Sequence, residues 1–464
     1  MNTVFVINPP EKHLDDLHIT KDMAGGVGFN AGNGIVLPPL ELIYHCLRLK
    51  ELNFKVNFFD LQANANFVPR FWDQIMQEDN PIILILITTP TLNADLKFIK
   101  EIKDTNPKSR VFVKFSLKNE KTIQEILETK LVEKVLLGET ELIIGEIINN
   151  QSTDGCVWLE NNNLTWGNEL KIMDLNRLPD FDLHWLDFSS YQYVLLDKSK
   201  KFFFTFQSSR GCPFPCSYYC PYPLLQGKIW RAMSQEKLFS NVKKLYEQNV
   251  GSIFFRDATF TVDGERIKKF CNNLINNRIK INWWCETRMN CLDEKLLKKM
   301  AEAGCKGINL GVETGDDELM KKQGKVGGDI IQLKKIIDLA KTYKIQLHFL
   351  MIVGLPEETK SSLYKSFDLI YKTTPKSLGV TTITPYPGTE LYTEAIANNW
   401  IEDDNTQNYN GNQAVMRSKH LTANQIRHGN FMLKVVGYLG RHNSPIHYIM
   451  KRGIRIYFWL WSKI

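Results

Sequence analysis

Short apolar runs alternate with amphipathic stretches over most of the chain. The runs at residues 3–8 (Thr-Val-Phe-Val-Ile-Asn), 55–60, 82–87, 110–114 and 134–137 have the length and β-branched or aromatic content of strands. Between them, residues 40–52, 92–104 and 122–128 carry apolar residues at helical spacing, the first through Leu40, Ile43, Tyr44 and Leu47. Ile82 to Ile87 is too continuously apolar for a sheet face open to water, which predicts a central parallel strand. The alternation predicts a doubly wound, Rossmann-like α/β domain over residues 1–150, with ligands at the carboxyl ends of its strands.

Periodicity fades over residues 151–200, where Gln, Ser, Asn and Asp are frequent, and this stretch reads as a linker. From 202 to about 384 six strand–helix units follow, with strands near 202–207, 251–256, 281–286, 306–310, 346–352 and 378–383. The stretch Asp293 to Gly304 is typical of the helices, with an Asp cap, apolar Leu296, Leu297 and Met300, and a glycine stop. Six units make a partial (β/α)6, TIM-like barrel over residues 201–400, so the polar residues at its strand ends are the ones to question.

Charge and cysteine content sharpen this outline. The formal net charge is +7, yet no Asp or Glu follows Asp404, while nine Lys and Arg do. Residues 401–464 are therefore a basic, aromatic C-terminal region, predicted to include a helix from His420 to Leu439. Its end, Ile454 to Ile464, is too short to span a bilayer and suits either peripheral contact with a membrane or packing on the barrel. Nucleic acid is disfavoured because no recognised binding module accompanies the charge. Nine cysteines, an odd number with six of them scattered, and an amino terminus without a basic signal region predict a reducing cytoplasmic setting.

Three of those cysteines, Cys212, Cys216 and Cys220, fall within nine residues directly after the strand at 202. Pro213, Pro215, Pro221 and Pro223 argue for a loop there rather than a helix. Clustered thiols on a stiff loop suit a metal or iron–sulfur ligand set better than a core, and three of them need a fourth ligand from elsewhere. Cys285, Cys291 and Cys305 sit in apolar strand or turn contexts and read as core thiols.

Here the chain resembles the radical S-adenosylmethionine (radical SAM) enzymes, whose usual spacing is C-x3-C-x2-C with an aromatic residue before the last cysteine. This chain reads C-x3-C-x3-C, with Tyr219 in the aromatic place. The resemblance implies a 4Fe-4S cluster on Cys212, Cys216 and Cys220, with S-adenosylmethionine on the open iron. It implies further contacts to S-adenosylmethionine: Tyr219 beside the cluster, Asp257 for the ammonium, Arg288 for the carboxylate, Glu313 of Gly311-Val-Glu-Thr-Gly315 for the ribose, and the backbone of Gly354 and Leu355 for the adenine. The residues also admit plainer roles, since Asp257 and Glu313 could cap helices and Arg288 could pair with Glu286 or Asp293.

The amino-terminal motifs Asn8-Pro9-Pro10, the glycine loop Gly25 to Gly34, Pro38-Pro-Leu-Glu-Leu, Thr88-Thr-Pro-Thr and Gly138-Glu-Thr-Glu resemble the cobalamin-binding domain of one branch of that superfamily. The implied cobalamin contacts are Asn8, Pro9, Gly26, Gly28, Thr88, Thr89 and Glu139. Asp16-Leu-His18-Ile-Thr-Lys21 approaches a D-x-H-x-x-G cobalt-ligand motif, but lysine stands in the glycine place, and His18 reads better as a surface residue. Lys114-Phe-Ser-Leu-Lys118 stands where the branch has a small or glycine-rich turn. The implied activity is a 5′-deoxyadenosyl radical that abstracts hydrogen from an unknown substrate, with carbon methylation as the outcome. The alternatives are a radical SAM enzyme that does not methylate and a non-catalytic cobalamin or iron–sulfur sensor. An external electron donor is implied for either enzyme.

Overall fold

The computed structural model describes residues 3–10, 19–21, 29–30, 35–115, 117–196, 201–324, 329–442 and 444–463. The chain divides into two compact units, Met1–Gly211 with Pro221–Ile253, and Cys212–Cys220 with Phe254–Ile464.

The first unit is built on β1 (Thr3–Asn8), α1 (Leu40–Glu51), β2 (Lys55–Asp60), α2 (Phe67–Gln77), β3 (Ile82–Leu86), α3 (Leu92–Thr105), β4 (Arg110–Lys114), α4 (Glu120–Glu128) and β5 (Lys134–Leu136). The hairpin β6 (Cys156–Glu160) and β7 (Asn163–Trp166) completes its sheet. Strand order is β7-β6-β5-β4-β3-β1-β2, with β1 to β5 parallel and the hairpin antiparallel at one edge. As its apolar run predicts, β3 lies between β1 and β4 and is fully buried. Its neighbours in the core include Val4, Leu42, Leu49, Phe112 and Ile147.

The hairpin falls in the stretch that reads as a linker. Asn161 and Asn162 turn it with φ of 51° and 64°, the two consecutive left-handed residues that a tight hairpin turn needs. Asparagine tolerates that region, so what looks like a loss of pattern is turn chemistry between Cys-Val-Trp-Leu-Glu and Asn-Leu-Thr-Trp.

The barrel strands are β8 (Phe202–Phe206), β9 (Val250–Phe255), β10 (Asn282–Thr287), β11 (Cys305–Glu313), β12 (Gln346–Val353) and β13 (Ser377–Thr382). They run in chain order in one open six-stranded sheet, the half-barrel expected. In the second unit β10 to β13 pair in parallel, and the register slips between Gly311 and Glu313. The helices of this unit include α5 (Gly264–Asn276), α6 (Glu294–Glu302), α7 (Ile330–Thr342), α8 (Lys360–Thr373), α9 (Ala423–Gly440) and α10 (Pro445–Trp461). Asp263, Asp293 and Asp329 cap α5, α6 and α7 through their side chains, so sequence-local capping sets where each return helix begins. The expected helix at 420–439 is α9, and the region beyond it forms α10.

Candidate functional site

The cysteine loop belongs to the second unit. Its prolines do not forbid helical turns as the sequence suggested. Pro215 opens a 3-10 turn, Pro215–Tyr218, at a position where a missing N–H costs nothing. The turn hands Cys216 O to the amide of Cys220 at 3.2 Å. Cys212 and Cys216 are buried and Cys220 is half-buried. Burial pushes the Cys212 thiol up from its ordinary range, against hydrogen bonds from Phe214 and Thr259. Among the described residues no three His, Cys, Asp or Glu side chains converge as they would around a single ion. Thiolates that each bind a different iron have no need to, so this donor set suits a cluster with three protein ligands.

Around the loop the barrel strand ends contribute charged groups. Arg288 follows β10 and is nearly buried. Its guanidinium donates to Cys216 Sγ at 3.6 Å, to the Gly324 carbonyl at 3.2 Å and, through Nε, to Asn290 Oδ1 at 3.3 Å. Its face lies 4.1 Å from the Phe214 ring centroid. Neither plainer pairing holds, because Glu286 takes Arg256 at 2.7 Å and Asp293 caps α6.

Asp257 is fully buried just beyond β9, where its charge acts on the Arg266 guanidinium. It does not cap α5, since Asp263 does. Glu313 ends β11 in the left-handed region at φ 66°, immediately after the register slip. A non-glycine residue held there stores strain of about 1–3 kcal/mol, which points to a functional demand. Capping is not that demand, because the short helix Asp317–Lys322 is capped by Asp316.

Tyr219 ties these parts together. Its ring packs in one cluster with Cys216, Cys220 and Leu355, and its hydroxyl is buried with no hydrogen-bond partner. The charge of Glu313, after burial itself, pushes the phenol well above its ordinary range. Gly354 has φ 97°, and a Cβ there would meet Ile426 Cδ1 at 2.8 Å, so only glycine keeps this turn. Its amide donates to Glu358 Oε2 at 2.6 Å. Glu358 is a residue that sequence reasoning missed; burial pushes its carboxyl up to about 8 while it holds the turn.

The first unit shows a different picture at its strand ends. Asn8 Nδ2 donates to Asp60 at 2.8 Å, and Tyr191 closes on the same carboxylate at 3.1 Å. Asn8 Oδ1 is buried without a partner. Thr88 meets Thr91 at 2.8 Å, and Thr89 and Pro9 lie close by in sequence at the ends of β3 and β1. Glu139 does not present a free carboxylate to a ligand: Arg231 grips both oxygens at 2.7 Å, and Ile172 donates its amide at 2.7 Å. Lys21, in the glycine place of the cobalt motif, is instead a buried partner of Asp95 at 2.7 Å. Lys114 is likewise buried, donating to the Gly138 carbonyl at 2.9 Å. His18, Gly26 and Gly28 lie outside the described residues.

A loop of three thiols with Arg288 and Glu313 at the neighbouring strand ends suits a cluster with three protein ligands. Residues 206–370 match the radical SAM superfamily. An uncharacterized methyltransferase of Pyrococcus horikoshii is 29% identical over 412 residues, covering 85% of this chain and 86% of that protein. The anaerobic magnesium-protoporphyrin IX monomethyl ester cyclase of Rubrivivax gelatinosus is 29% identical over 233 residues, 49% of this chain and 40% of the cyclase. Among solved structures, the radical S-adenosylmethionine methyltransferase TsrM from Kitasatospora setae, with cobalamin and a 4Fe-4S cluster bound, matches with a TM-score of 0.67 at 15% identity. That match covers 86% of this chain and 78% of TsrM. Over residues 206–370 the chain is thus similar to the radical SAM superfamily.

Proposed function

We propose that this protein is a radical SAM enzyme that methylates carbon with the help of cobalamin. The observation that carries the reading is the packing of Cys216, Cys220, Tyr219 and Leu355 into one cluster beneath Arg288, with Glu313 strained at the adjoining strand end. The likeness in fold to a cobalamin-bound methyltransferase and the relative from Pyrococcus horikoshii support the methyl-transfer part. When bound, the cluster supplies the electron that cleaves S-adenosylmethionine and cobalamin supplies the methyl group.

In this reading Cys212, Cys216 and Cys220 hold three irons. Asp257 faces the ammonium of S-adenosylmethionine, a charge-assisted contact in a buried setting. Arg288 sits beside the thiolate of Cys216, lowers the cost of collecting negative charge there, and meets the carboxylate of the bound cosubstrate. Glu313 accepts from the ribose hydroxyls, and the turn at Gly354 and Leu355, fixed by Glu358, receives the adenine. Tyr219 closes the pocket beside the cluster. On the first unit, Asn8 with its unpartnered Oδ1, Pro9, Thr88 and Thr89 receive cobalamin with Gly26 and Gly28; Glu139 supports this edge through Arg231 rather than touching the ligand. Amide side chains on a corrin ring would satisfy an orphaned buried carbonyl, which is why the edge suits that group. The protein works in a reducing cytoplasm, draws on an external one-electron donor, and touches a membrane through its basic region.

The test is anaerobic. The cluster is rebuilt, S-adenosylmethionine and a strong reductant are added with and without cobalamin, and 5′-deoxyadenosine and S-adenosylhomocysteine are quantified. The reading expects the first product from wild type and the second only with cobalamin. A protein with an intact cluster that yields neither would be a sensor, and the enzyme reading would fall. A second reading, radical chemistry without methylation, is favoured by the likeness to the cyclase. It expects 5′-deoxyadenosine alone, unchanged by cobalamin.

A further inference from the structure

Helix α10 is apolar on two opposite sides. Its inner side is explained by packing: Phe458 is fully buried, with its ring 5.0 Å from Phe367 and 4.9 Å from Trp461. Lys451 and Arg455 also turn this way, over the Tyr371 ring at 4.5 and 4.6 Å, and Arg455 reaches Asp368 at 2.7 Å. The outer side has no such explanation. Ile446, Ile449, Gly453, Ile456 and Leu460 recur at helical spacing and form one continuous stripe directly opposite Phe458. Ile446 is 68% exposed, Ile449 69%, Ile456 55% and Leu460 51%. Scattered surface isoleucines are ordinary, but a stripe along a whole helix marks an interaction surface.

Charge decides what the stripe faces. Arg452 and Lys463 are exposed along its border, and α10 contains no acidic residue. A second copy packed face to face would bring two such basic helices together, and like charges at that distance repel. An anionic surface would not. No helix among the described residues is long and apolar enough to cross a membrane, and α10 at 17 residues is shorter than a span needs. An amphipathic helix with cations beside an apolar face lies in the plane of the interface.

We infer that the outer face of α10 docks into the headgroup–acyl boundary of an anionic membrane, with Ile446, Ile449, Ile456 and Leu460 inserted and Arg452 and Lys463 at the phosphates. The inference gives a surface to the membrane contact proposed above and does not depend on methyl transfer.

The full chain with its cluster rebuilt is floated with phosphatidylcholine vesicles with and without phosphatidylglycerol. The expected result is flotation with the anionic vesicles, weaker at high salt, and little with phosphatidylcholine alone. Ile449→Glu/Ile456→Glu should weaken partitioning by roughly tenfold per residue, since each loses its apolar burial. Arg452→Gln/Lys463→Gln should weaken it by roughly fivefold per charge at low salt. Neither pair touches the cluster loop, so the unfolding midpoint and the yield of 5′-deoxyadenosine should match wild type and show that the variants are folded. Wild type that ignores anionic vesicles, or an Ile449→Glu/Ile456→Glu variant that floats as well as wild type, would overturn the inference. So would a lipid-indifferent dimer that the same variant dissociates, because a second copy would then cover the stripe. Flotation without any cleavage of S-adenosylmethionine would uphold the inference and sink the proposed enzyme instead.

Discussion

At the end of β3 in the first unit, Lys21, Asp95, Thr91 and Thr88 close on one another as a buried polar chain. At the end of β11 in the second, Glu313 is held at φ 66° on a slipped register, and nearby Tyr219 buries a hydroxyl with no partner. Both edges are rich in polar residues. In the first, the carboxylates of Glu139, Asp95 and Asp60 all have partners within the protein, while Asn8 Oδ1 is left without one. In the second, Glu313 is held in a left-handed conformation that costs stability, and its charge acts on Tyr219 of the cysteine loop. Polar residues at strand ends are therefore poor guides to function until their partners are known, whereas a strained backbone beside a thiol loop is a better one.

The largest expected contrast comes from the thiols. Cys216→Ala should abolish 5′-deoxyadenosine formation and the iron–sulfur absorption of the rebuilt protein, with little change in the unfolding of the apoprotein. Glu139→Gln should do the reverse, lowering stability while leaving 5′-deoxyadenosine yield per folded molecule close to wild type. If Cys216→Ala still cleaves S-adenosylmethionine, the second edge is not the reactive one.

Next in size is the sealed edge itself. Arg231→Ala would break the bidentate pair and leave the buried Glu139 carboxylate to Arg210 at 3.5 Å and the Ile172 amide, and should cost about 3 kcal/mol in chemical denaturation. Replacing both partners by apolar residues, Arg231→Met with Glu139→Leu, should recover most of that loss, because a buried pair is costly to break and cheap to replace. A single variant within a few tenths of wild type would remove the distinction between the two edges.

How much of this was legible in the sequence depends on distance along the chain. The cysteine loop, the six strands and the helix caps are local patterns, and their residues could be read directly. The prolines of that loop argue against a helix, yet Pro215 opens a 3-10 turn because it sits where a missing N–H is tolerated. Lysine in the glycine place of the cobalt motif was visible, but its partner Asp95 lies 74 residues away. Glu139 was recognised as a motif residue and assigned to a ligand, because nothing local announces Arg231. Glu313 was named for its motif, while its strain arises from a register slip between two strands. Glu358 carried the weakest signal, a carboxylate just before the Thr359 cap of α8, and its burial is a tertiary fact. The basic and aromatic make-up of residues 401–464 is readable, but which face of α10 packs inward is not.

Glu358 offers a pH-dependent test of intermediate size. Its folded pKa of about 8 lies above the ordinary 4.5, so the folded protein keeps a proton that the unfolded chain releases. Stability should then fall as pH rises from about 4.5 towards 8 and level off beyond, by an amount on the order of a few kcal/mol. Glu358→Gln can still accept from the Gly354 amide and cannot ionise, so its stability should lose this slope. Denaturation midpoints for both proteins across pH 5 to 8 measure the difference. A wild-type slope no steeper than that of the variant would show that the carboxyl is not held neutral.

The smallest effect cuts most directly at the comparison. If Glu313 is strained for the sake of a ligand contact, relieving the strain should stabilise the protein and damage the site together. Glu313→Gly removes the side chain and accepts φ near 66° without penalty. Part of that gain is offset by the greater freedom of glycine in the unfolded chain, leaving a net stabilisation of about 1 kcal/mol. Glu313→Gln keeps the strained backbone and loses only the charge, so it should show no such gain. Both variants should bind S-adenosylmethionine more weakly, by roughly tenfold for the loss of one good charged hydrogen bond. Stability and affinity measured on the two variants separate the causes: a Glu313→Gly protein that is no more stable than Glu313→Gln would mean that β11 adopts its slip for reasons of packing, and that the strain carries no information about the ligand.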